Sequence, residues 1–131
     1  MPIKKPRVAI VDGHHELSLA YKNRLAIEGY DSIIFNTGES ALSYVRDVPV
    51  ELVLMEIDLV DMSGLDVIDI FKSDPITSHI PIVVLTNNAS LDISRVALRL
   101  GGEEYLIKST ASAHDTVDKI NKLLLRATSR S

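Results

Sequence analysis

Five short runs rich in β-branched and aliphatic residues recur along the chain, and their regular spacing limits the possible folds more than any other feature. They are RVAIVD (7–12), SIIFN (32–36), LVLMEI (52–57), PIVVLTN (81–87) and EYLIK (104–108). The first, third and fourth runs are almost continuously apolar, as expected of strands that are covered on both faces. The runs therefore predict five β-strands, three of which are deeply buried.

Segments with a helical spacing of apolar residues follow each of these runs. Three are strong and two are weaker: 17–25, 93–100 and 117–124, and then 38–47 and 64–73. Gly29 and Gly101 are predicted C-caps of the first two strong helices, because glycine commonly ends a helix. Ser112 and Asp115 have the spacing of a capping box before the last helix. The pattern predicts one helix after every strand.

The resulting order, βαβαβαβαβα, predicts an α/β fold with a parallel sheet and five helices on its two faces. The common arrangement at this size is the flavodoxin-like, doubly wound, five-stranded sheet of order 2-1-3-4-5, in which ligands bind at the carboxyl ends of the strands. We expect a single domain over residues 1–131. Its core is expected over 6–126, and 127–131 is expected to be a tail or the start of a linker.

Composition excludes several classes of function. The 131 residues include no cysteine, so neither disulfides nor cysteine-based metal sites are available. The net charge of −4 and the pI of about 5.5 disfavour direct nucleic-acid binding, which normally needs a basic surface. No apolar stretch is long enough to span a membrane, and no signal peptide is evident. We therefore expect a cytoplasmic protein without a membrane or nucleic-acid partner.

Polar residues end four of the five apolar runs, and they indicate a binding site. These residues are Asp12, Glu56, Thr86 and Lys108. In a parallel sheet of this order their strand ends meet at one edge. Carboxylates suit Mg²⁺, whereas a lysine and a threonine hydroxyl suit phosphate. The four residues predict a pocket that handles a cation and an oxyanion together.

Four segments resemble, in order and spacing, the receiver domain of two-component response regulators. They are VAIVDGHHEL, LVLMEIDLVDMSGL, PIVVLTNN and GGEEYLIKST, and the similarity covers about residues 6–126. The resemblance implies transfer of a phosphoryl group from a sensor kinase histidine to an aspartate at the tip of strand three, assisted by Mg²⁺. It also implies that the face of helix four, strand five and helix five exchanges signalling partners, either a sensor kinase or an effector domain. A homodimer through the same face is a further expectation.

Carried over residue by residue, the resemblance gives roles to four positions. Asp12 matches the first metal-binding acid and Lys108 matches the phosphate-binding lysine. Thr86 and Tyr105 match the hydroxyl and aromatic switch residues. These roles are expectations from the family pattern.

The pattern fails at two chemically important positions. Gly13 stands where the family has its second acid, and Glu56 stands at the phosphoacceptor position. Glutamate extends its carboxylate by one methylene, roughly 1.5 Å, and a misplacement of about 1 Å can cost on the order of 10²-fold in rate. We therefore predict a degenerate receiver, or pseudo-receiver, that is not an enzyme, acts by protein–protein interaction and is not phosphorylated in the usual way.

The same substitutions predict weak or absent Mg²⁺ binding, with Asp12, Glu56 and Asp58 as candidate ligands and no required cofactor. An ion pair between Glu56 and Lys108 is expected to hold the site partly in its activated arrangement without phosphate. Val60 and Ser109 replace prolines of the family pattern, which affects loop geometry rather than reactivity.

Alternative functions remain at this point. One is a Mg²⁺-dependent phosphoacceptor that uses Glu56 or Asp58, and another is a small flavodoxin-like enzyme or nucleotide binder in the same crevice. The segment DGHHE (12–16) also offers potential transition-metal ligands, although a loop followed by a helix start explains it better. Asp58 and Asp61, two acids of one loop, are also candidate surrogate acceptors or metal ligands, although solvated loop acids explain them better.

Overall fold

The apolar runs form one parallel β-sheet with helices on both faces. The computed structural model describes residues 5–129. Its elements, in chain order, are β1 (Arg7–Val11), α1 (His15–Ile27), β2 (Asp31–Phe35), α2 (Gly38–Asp47), β3 (Leu52–Met55), α3 (Gly64–Ser73), β4 (Ile82–Thr86), α4 (Leu91–Leu100), β5 (Glu104–Ile107) and α5 (Ala113–Ser129). The sheet order is β2-β1-β3-β4-β5 with every pair parallel, which confirms the predicted flavodoxin-like fold.

Burial follows the order of the strands. All residues of β3 and β4 are buried, whereas the edge strand β5 is partly exposed along its whole length. Central parallel strands are covered by helices on both faces, and this explains why their sequences are almost entirely apolar. The three strongest apolar runs are therefore the three central strands.

Two apolar cores lie on opposite faces of the sheet. One core packs α2, α3 and α4 against the sheet and includes Ile68 and Phe71. The other packs α1 and α5 against it and includes Leu25 and Ile120. Because burial of each large apolar side chain contributes about 1.5–3 kcal/mol, the two layers hold the strands and their ends firmly in place.

The helix ends largely follow their sequence signals. Gly101 caps α4 with a φ of 122°, as predicted. The C-cap of α1 is Glu28 rather than Gly29, which follows it at a φ of 90°. The glycine is needed for this left-handed conformation just beyond the cap, so the prediction was wrong by one position. Ser112 Oγ accepts a hydrogen bond from the Asp115 amide at 3.0 Å, as expected of a cap.

The boundaries of two weakly patterned helices, 38–47 and 64–73, agree with the prediction. The strands end slightly earlier than predicted, so that Asp12, Glu56 and Lys108 each follow the last strand residue, and Thr86 is the end of β4. Helix α5 continues through Ser129, past the predicted end of the core at 126. The last two residues of the predicted tail, Arg130 and Ser131, lie outside the described residues.

Candidate functional site

The predicted polar pocket lies at the carboxyl end of the sheet. Asp12, Glu56, Thr86 and Lys108 stand at the ends of β1, β3, β4 and β5, which are consecutive neighbours in the sheet. Since these strands run in the same direction, their ends share one edge. The fold thus brings together residues that are up to 96 positions apart in the sequence (108 − 12 = 96).

The ammonium of Lys108 lies between the two carboxylates. Its Nζ atom is 2.7 Å from Asp12 Oδ2 and 2.7 Å from Glu56 Oε1. The three side chains are only 10–11% exposed. Charge-assisted hydrogen bonds of this length are strong where water is largely excluded. The sequence predicted the pair with Glu56, but the contact with Asp12 was not foreseen.

These contacts keep the groups of the pocket charged. Burial alone would raise the pKa of Glu56, but hydrogen bonds from Lys108, from the Thr86 hydroxyl and from the Asp58 amide outweigh it and lower the pKa of this carboxyl. Burial likewise opposes the charge of Lys108, yet Asp12 and Glu56 together raise the pKa of its ammonium. Glu56 is therefore a carboxylate and Lys108 an ammonium at neutral pH. Together with Asp12 they give the cluster a formal net charge of about −1.

The other two carboxylate oxygens are bonded to the backbone. Asp12 Oδ1 accepts a hydrogen bond from the His14 amide at 2.9 Å. Glu56 Oε2 accepts from the amides of Ile57 at 2.6 Å and Asp58 at 3.1 Å. The longer side chain of glutamate thus folds back on its own loop with one oxygen while it holds Lys108 with the other. Every carboxylate oxygen of the cluster already has a donor.

Residue Asn88 connects this pocket to Tyr105. The Asn88 amide donates a hydrogen bond to Thr86 Oγ1 at 3.1 Å, and the Tyr105 hydroxyl donates to the Asn88 carbonyl oxygen at 2.6 Å. Burial and the nearby charges of Asp58 and Glu56 raise the pKa of Tyr105, so its hydroxyl stays a donor. Asn88 was missed in the sequence because its backbone, rather than its side chain, makes both contacts.

The loop between β3 and α3 is fixed by two close contacts. Asp61 accepts hydrogen bonds from the amides of Gly38 and Glu39 at 2.9 and 3.0 Å, and these amides lower the pKa of its carboxyl. A Cβ atom on Gly64 would lie 2.4 Å from the Glu56 carbonyl oxygen, so only glycine fits there without a shift. Asp61 is exposed, as expected of a solvated loop acid, and it also joins this loop to the start of α2.

The donor set fits a magnesium ion poorly. Asp12 and Glu56 are committed to Lys108 and to backbone amides, and Gly13 has no side chain to add. Asp58 is exposed, and within residues 5–129 no three acidic or histidine side chains group as a metal site would require. The expectation of Asp58 as a third ligand is therefore not supported by the geometry.

The histidines of the DGHHE segment take a structural position. His14 is the N-cap of α1, and its Nδ1 accepts a hydrogen bond from the Leu17 amide at 3.4 Å. In the part of the chain that the structure describes, these histidines belong to no group that could hold a metal ion. The loop and helix start explain this segment, as expected.

Comparison with known proteins identifies the family. A family model described as "Response regulator receiver domain" matches residues 8–121. The chain is a response-regulator receiver domain. The receiver domain is 25% identical to a CheY-like receiver domain protein from Methanospirillum hungatei JF-1, with a TM-score of 0.91 over 98% of this chain and 100% of that structure.

Two curated relatives are longer proteins. The receiver domain is 31% identical to the DNA-binding response regulator MtrA of Mycobacterium tuberculosis over 82% of this chain and 46% of that protein. It is 30% identical to a probable cyclic di-GMP phosphodiesterase of Vibrio cholerae over 77% of this chain and 23% of that protein. The chain thus spans less than half the length of these relatives.

Membership of the family fixes several general properties. Receiver domains are normally non-enzymatic signalling domains that interact with sensor kinases and effector domains. They generally bind Mg²⁺ at the phosphorylation site. Among residues 5–129, no helix has both the length and the apolar character needed to cross a membrane. The comparisons favour the receiver function over the enzyme or nucleotide binder considered from the sequence.

Proposed function

We propose that this receiver domain works as a pseudo-receiver, which signals through protein–protein contacts and is not phosphorylated in the ordinary way. The observation that carries the proposal is the state of Glu56 at the acceptor position. One of its carboxylate oxygens holds Lys108, and the other accepts two backbone amides. An attacking oxygen must be aligned with its donor, whereas both oxygens of Glu56 are held in place by Lys108 and by backbone amides.

The missing second acid supports the same conclusion. Gly13 contributes no ligand, and the remaining carboxylates are held by the lysine. Mg²⁺ demands a near-octahedral set of oxygens and gives up its water reluctantly. The proposed role therefore needs no cofactor, and any magnesium binding is weak.

Glu56 is proposed to replace the phosphoryl group as the partner of Lys108 and Thr86. Tyr105 supports this part of the proposal, because its hydroxyl bonds inward to Asn88, whose amide in turn bonds to Thr86. A carboxylate has less charge and fewer acceptor oxygens than a phosphoryl group, so the replacement is partial. The domain would then hold one signalling conformation without a kinase.

The proposed contact surface is the face of α4, β5 and α5. Between α4 and β5 lies a groove of about 400 Å³ that includes Leu91, Leu98 and Tyr105. Leu91 is 70% exposed and Leu98 is 47% exposed, so both present apolar surface along this groove. The groove also contains Glu103 and Glu104, and none of the described residues that line it is a lysine or arginine.

The chemistry of this groove favours a partner with apolar side chains flanked by basic ones. A sensor kinase or an effector domain in the cytoplasm is the proposed partner, without direct contact to nucleic acid. A homodimer through the same face is also proposed, and sedimentation velocity tests it directly. Leu98→Asp should then shift a native dimer to monomer. A native protein that is monomeric at all concentrations would contradict the homodimer.

Phosphodonor treatment tests the central proposal. The native protein is incubated with Mg²⁺ and either acetyl phosphate or beryllofluoride, followed by amide NMR and intact-mass measurement. We expect no added mass and no shift of the amides of Ile57, Asp58 and Asn88. Stoichiometric, Mg²⁺-dependent modification would overturn the proposal and favour a phosphoacceptor role for Glu56 or Asp58.

The matched control restores the ordinary site with Gly13→Asp and Glu56→Asp together. An added Cβ at Gly13 has only the Asn36 carbonyl oxygen nearby, at 3.6 Å, so a side chain can begin there without a clash. We expect this double variant to respond to beryllofluoride and Mg²⁺. Its response would show that the rest of the domain can be activated. The native residues Gly13 and Glu56 would then account for the lack of response in the native protein.

A further inference from the structure

We infer that Lys108 is the resident cation of this pocket and that its ammonium, rather than the number of ligands alone, keeps divalent cations out. The inference rests on the proposed function in that both concern the same pocket. Cation binding is measured here in the absence of any phosphodonor, where Lys108 would prevent a divalent metal ion from binding.

The positions of the charges support this role. Lys108 Nζ lies 2.7 Å from one oxygen of Asp12 and 2.7 Å from one oxygen of Glu56. These are the only two carboxylate oxygens of the cluster without a backbone amide donor, as the contacts of His14, Ile57 and Asp58 account for the other two. A divalent ion that took both of these oxygens as ligands would therefore occupy the position of the ammonium and displace it.

Displacement would be costly because the pocket is closed. The side chain of Lys108 is 10% exposed, so displacement of its ammonium would break the ion pairs with both Asp12 and Glu56 and would leave the buried charge without a partner. A buried charge without a partner is strongly unfavourable. Because Gly13 supplies no further carboxylate, nothing in the described part of the pocket compensates for that loss.

Ligand number alone does not explain exclusion. Magnesium sites in proteins often use only one or two carboxylates and complete their coordination with water. Asp12 and Glu56 would satisfy this minimum if both were free. The net charge of the cluster is about −1 with the lysine and about −2 without it, so the lysine decides how strongly the pocket attracts a divalent ion.

The test removes the ammonium and measures Mg²⁺ binding without a phosphodonor. Lys108→Met keeps the apolar stem and removes the charge, and Lys108→Gln is a second variant in case the first does not fold. Lys122→Met is the control, because Lys122 is an exposed lysine paired with Asp118 at 3.2 Å. Amide NMR reports the binding through His14, Ile57 and Asp58, whose amides contact the two carboxylates.

We expect MgCl₂ to move these amides no more than NaCl of equal ionic strength does in the native protein and in Lys122→Met. In Lys108→Met or Lys108→Gln the three amides should shift and saturate, with an affinity at least about tenfold higher than native. Gly13→Asp, which also makes the cluster more negative, should gain binding as well.

Two results would overturn the inference. One is saturable Mg²⁺ binding at these amides in the native protein. The other is a gain of binding in Gly13→Asp with none in either lysine variant, since ligand number would then be the cause. Metal binding without modification in the native chain would remove this inference alone. Modification of the native chain by a phosphodonor would remove the proposed function.

Discussion

Glu56 contributes to stability through its charge. Replacing it with glutamine keeps the size of the side chain but removes the ion pair with Lys108 and weakens the bonds to two amides. Lys108 would retain Asp12. We expect Glu56→Gln to lower the free energy of unfolding by about 1–3 kcal/mol, measured by urea denaturation.

Glu104→Gln serves as the control for this prediction. Glu104 pairs with Lys119 at 3.6 Å in a more exposed setting, so its loss should cost at most about 1 kcal/mol. If Glu56→Gln and Glu104→Gln lowered the free energy of unfolding equally, the buried ion pair of Glu56 would contribute no more than an exposed one. The same Glu56→Gln protein also tests the proposed function, because the amides around Tyr105 should shift if Glu56 holds that conformation.

The charge of Glu56 also predicts a pH dependence. Its pKa in the folded state is lowered below the ordinary value of 4.5, so the unfolded state takes up the proton first as the pH falls. The stability due to this carboxylate is therefore complete above about pH 4.5 and is lost as the pH falls through the folded pKa. The difference in unfolding free energy between native protein and Glu56→Gln should be constant from pH 6 to 8, roughly, and shrink below about pH 4.5.

At the scale of the element, the loop from β3 to α3 determines where Glu56 lies. A Cβ on Gly64 would be 2.4 Å from the Glu56 carbonyl oxygen and 2.7 Å from the Ile57 Cα. Gly64→Ala should therefore push the end of β3 away from α3 and cost about 1–3 kcal/mol of stability. Gly13→Ala is the control, since its Cβ would meet only an ordinary contact of 3.6 Å.

Thermal unfolding and NMR measure both effects of Gly64→Ala. The variant should lower the melting temperature and shift the amides of Ile57 and Asp58, which are bonded to Glu56. Gly13→Ala should change neither by a comparable amount. If Gly64→Ala is as stable as the native protein, the loop is not the rigid support that the close contact indicates.

At the scale of the whole molecule, the sheet is shared by two apolar cores. Ile68 lies in the core beneath α3 and Ile120 in the core beneath α5, and both are completely buried. We expect Ile68→Val and Ile120→Val each to lower the free energy of unfolding by about 0.5–1.5 kcal/mol. Far-ultraviolet circular dichroism and tyrosine fluorescence should give coincident urea transitions in both variants. Separate transitions would mean that one layer unfolds alone.

The fold could be predicted from local patterns because strands and helices each have their own apolar period. The bounds of α2 and α3 agree with the weak apolar patterns, and the structure shows that Thr37 and Ser63 cap the starts of these helices. The pocket could be predicted because the sheet order determines which strand ends meet. Its roles remain predictions, as they come from the resemblance.

Other contacts could not be predicted, because they join residues that have no fixed spacing. Asp61 bonds to α2 from 22 and 23 positions away, and Lys108 reaches Asp12 from across two intervening strands. Charge alone did not indicate which of several acids would pair with that lysine. Only the three-dimensional arrangement shows that one ammonium serves both carboxylates.

The link between Thr86 and Tyr105 passes through the peptide groups of residue 88 and not through its side chain, whose Oδ1 accepts a hydrogen bond from the Ser90 amide at 3.1 Å. Any residue with an amide hydrogen can occupy position 88 and still donate to Thr86 Oγ1 while its carbonyl receives the tyrosine hydroxyl. Proline is the exception, because it has no such hydrogen. Asn88→Ala should therefore leave the Tyr105 ring environment as it is in an aromatic NMR spectrum, whereas Asn88→Pro should alter it. A change of side chain at position 88, other than to proline, would therefore keep both hydrogen bonds. A comparison of side chains would overlook this connection, because the main chain maintains it.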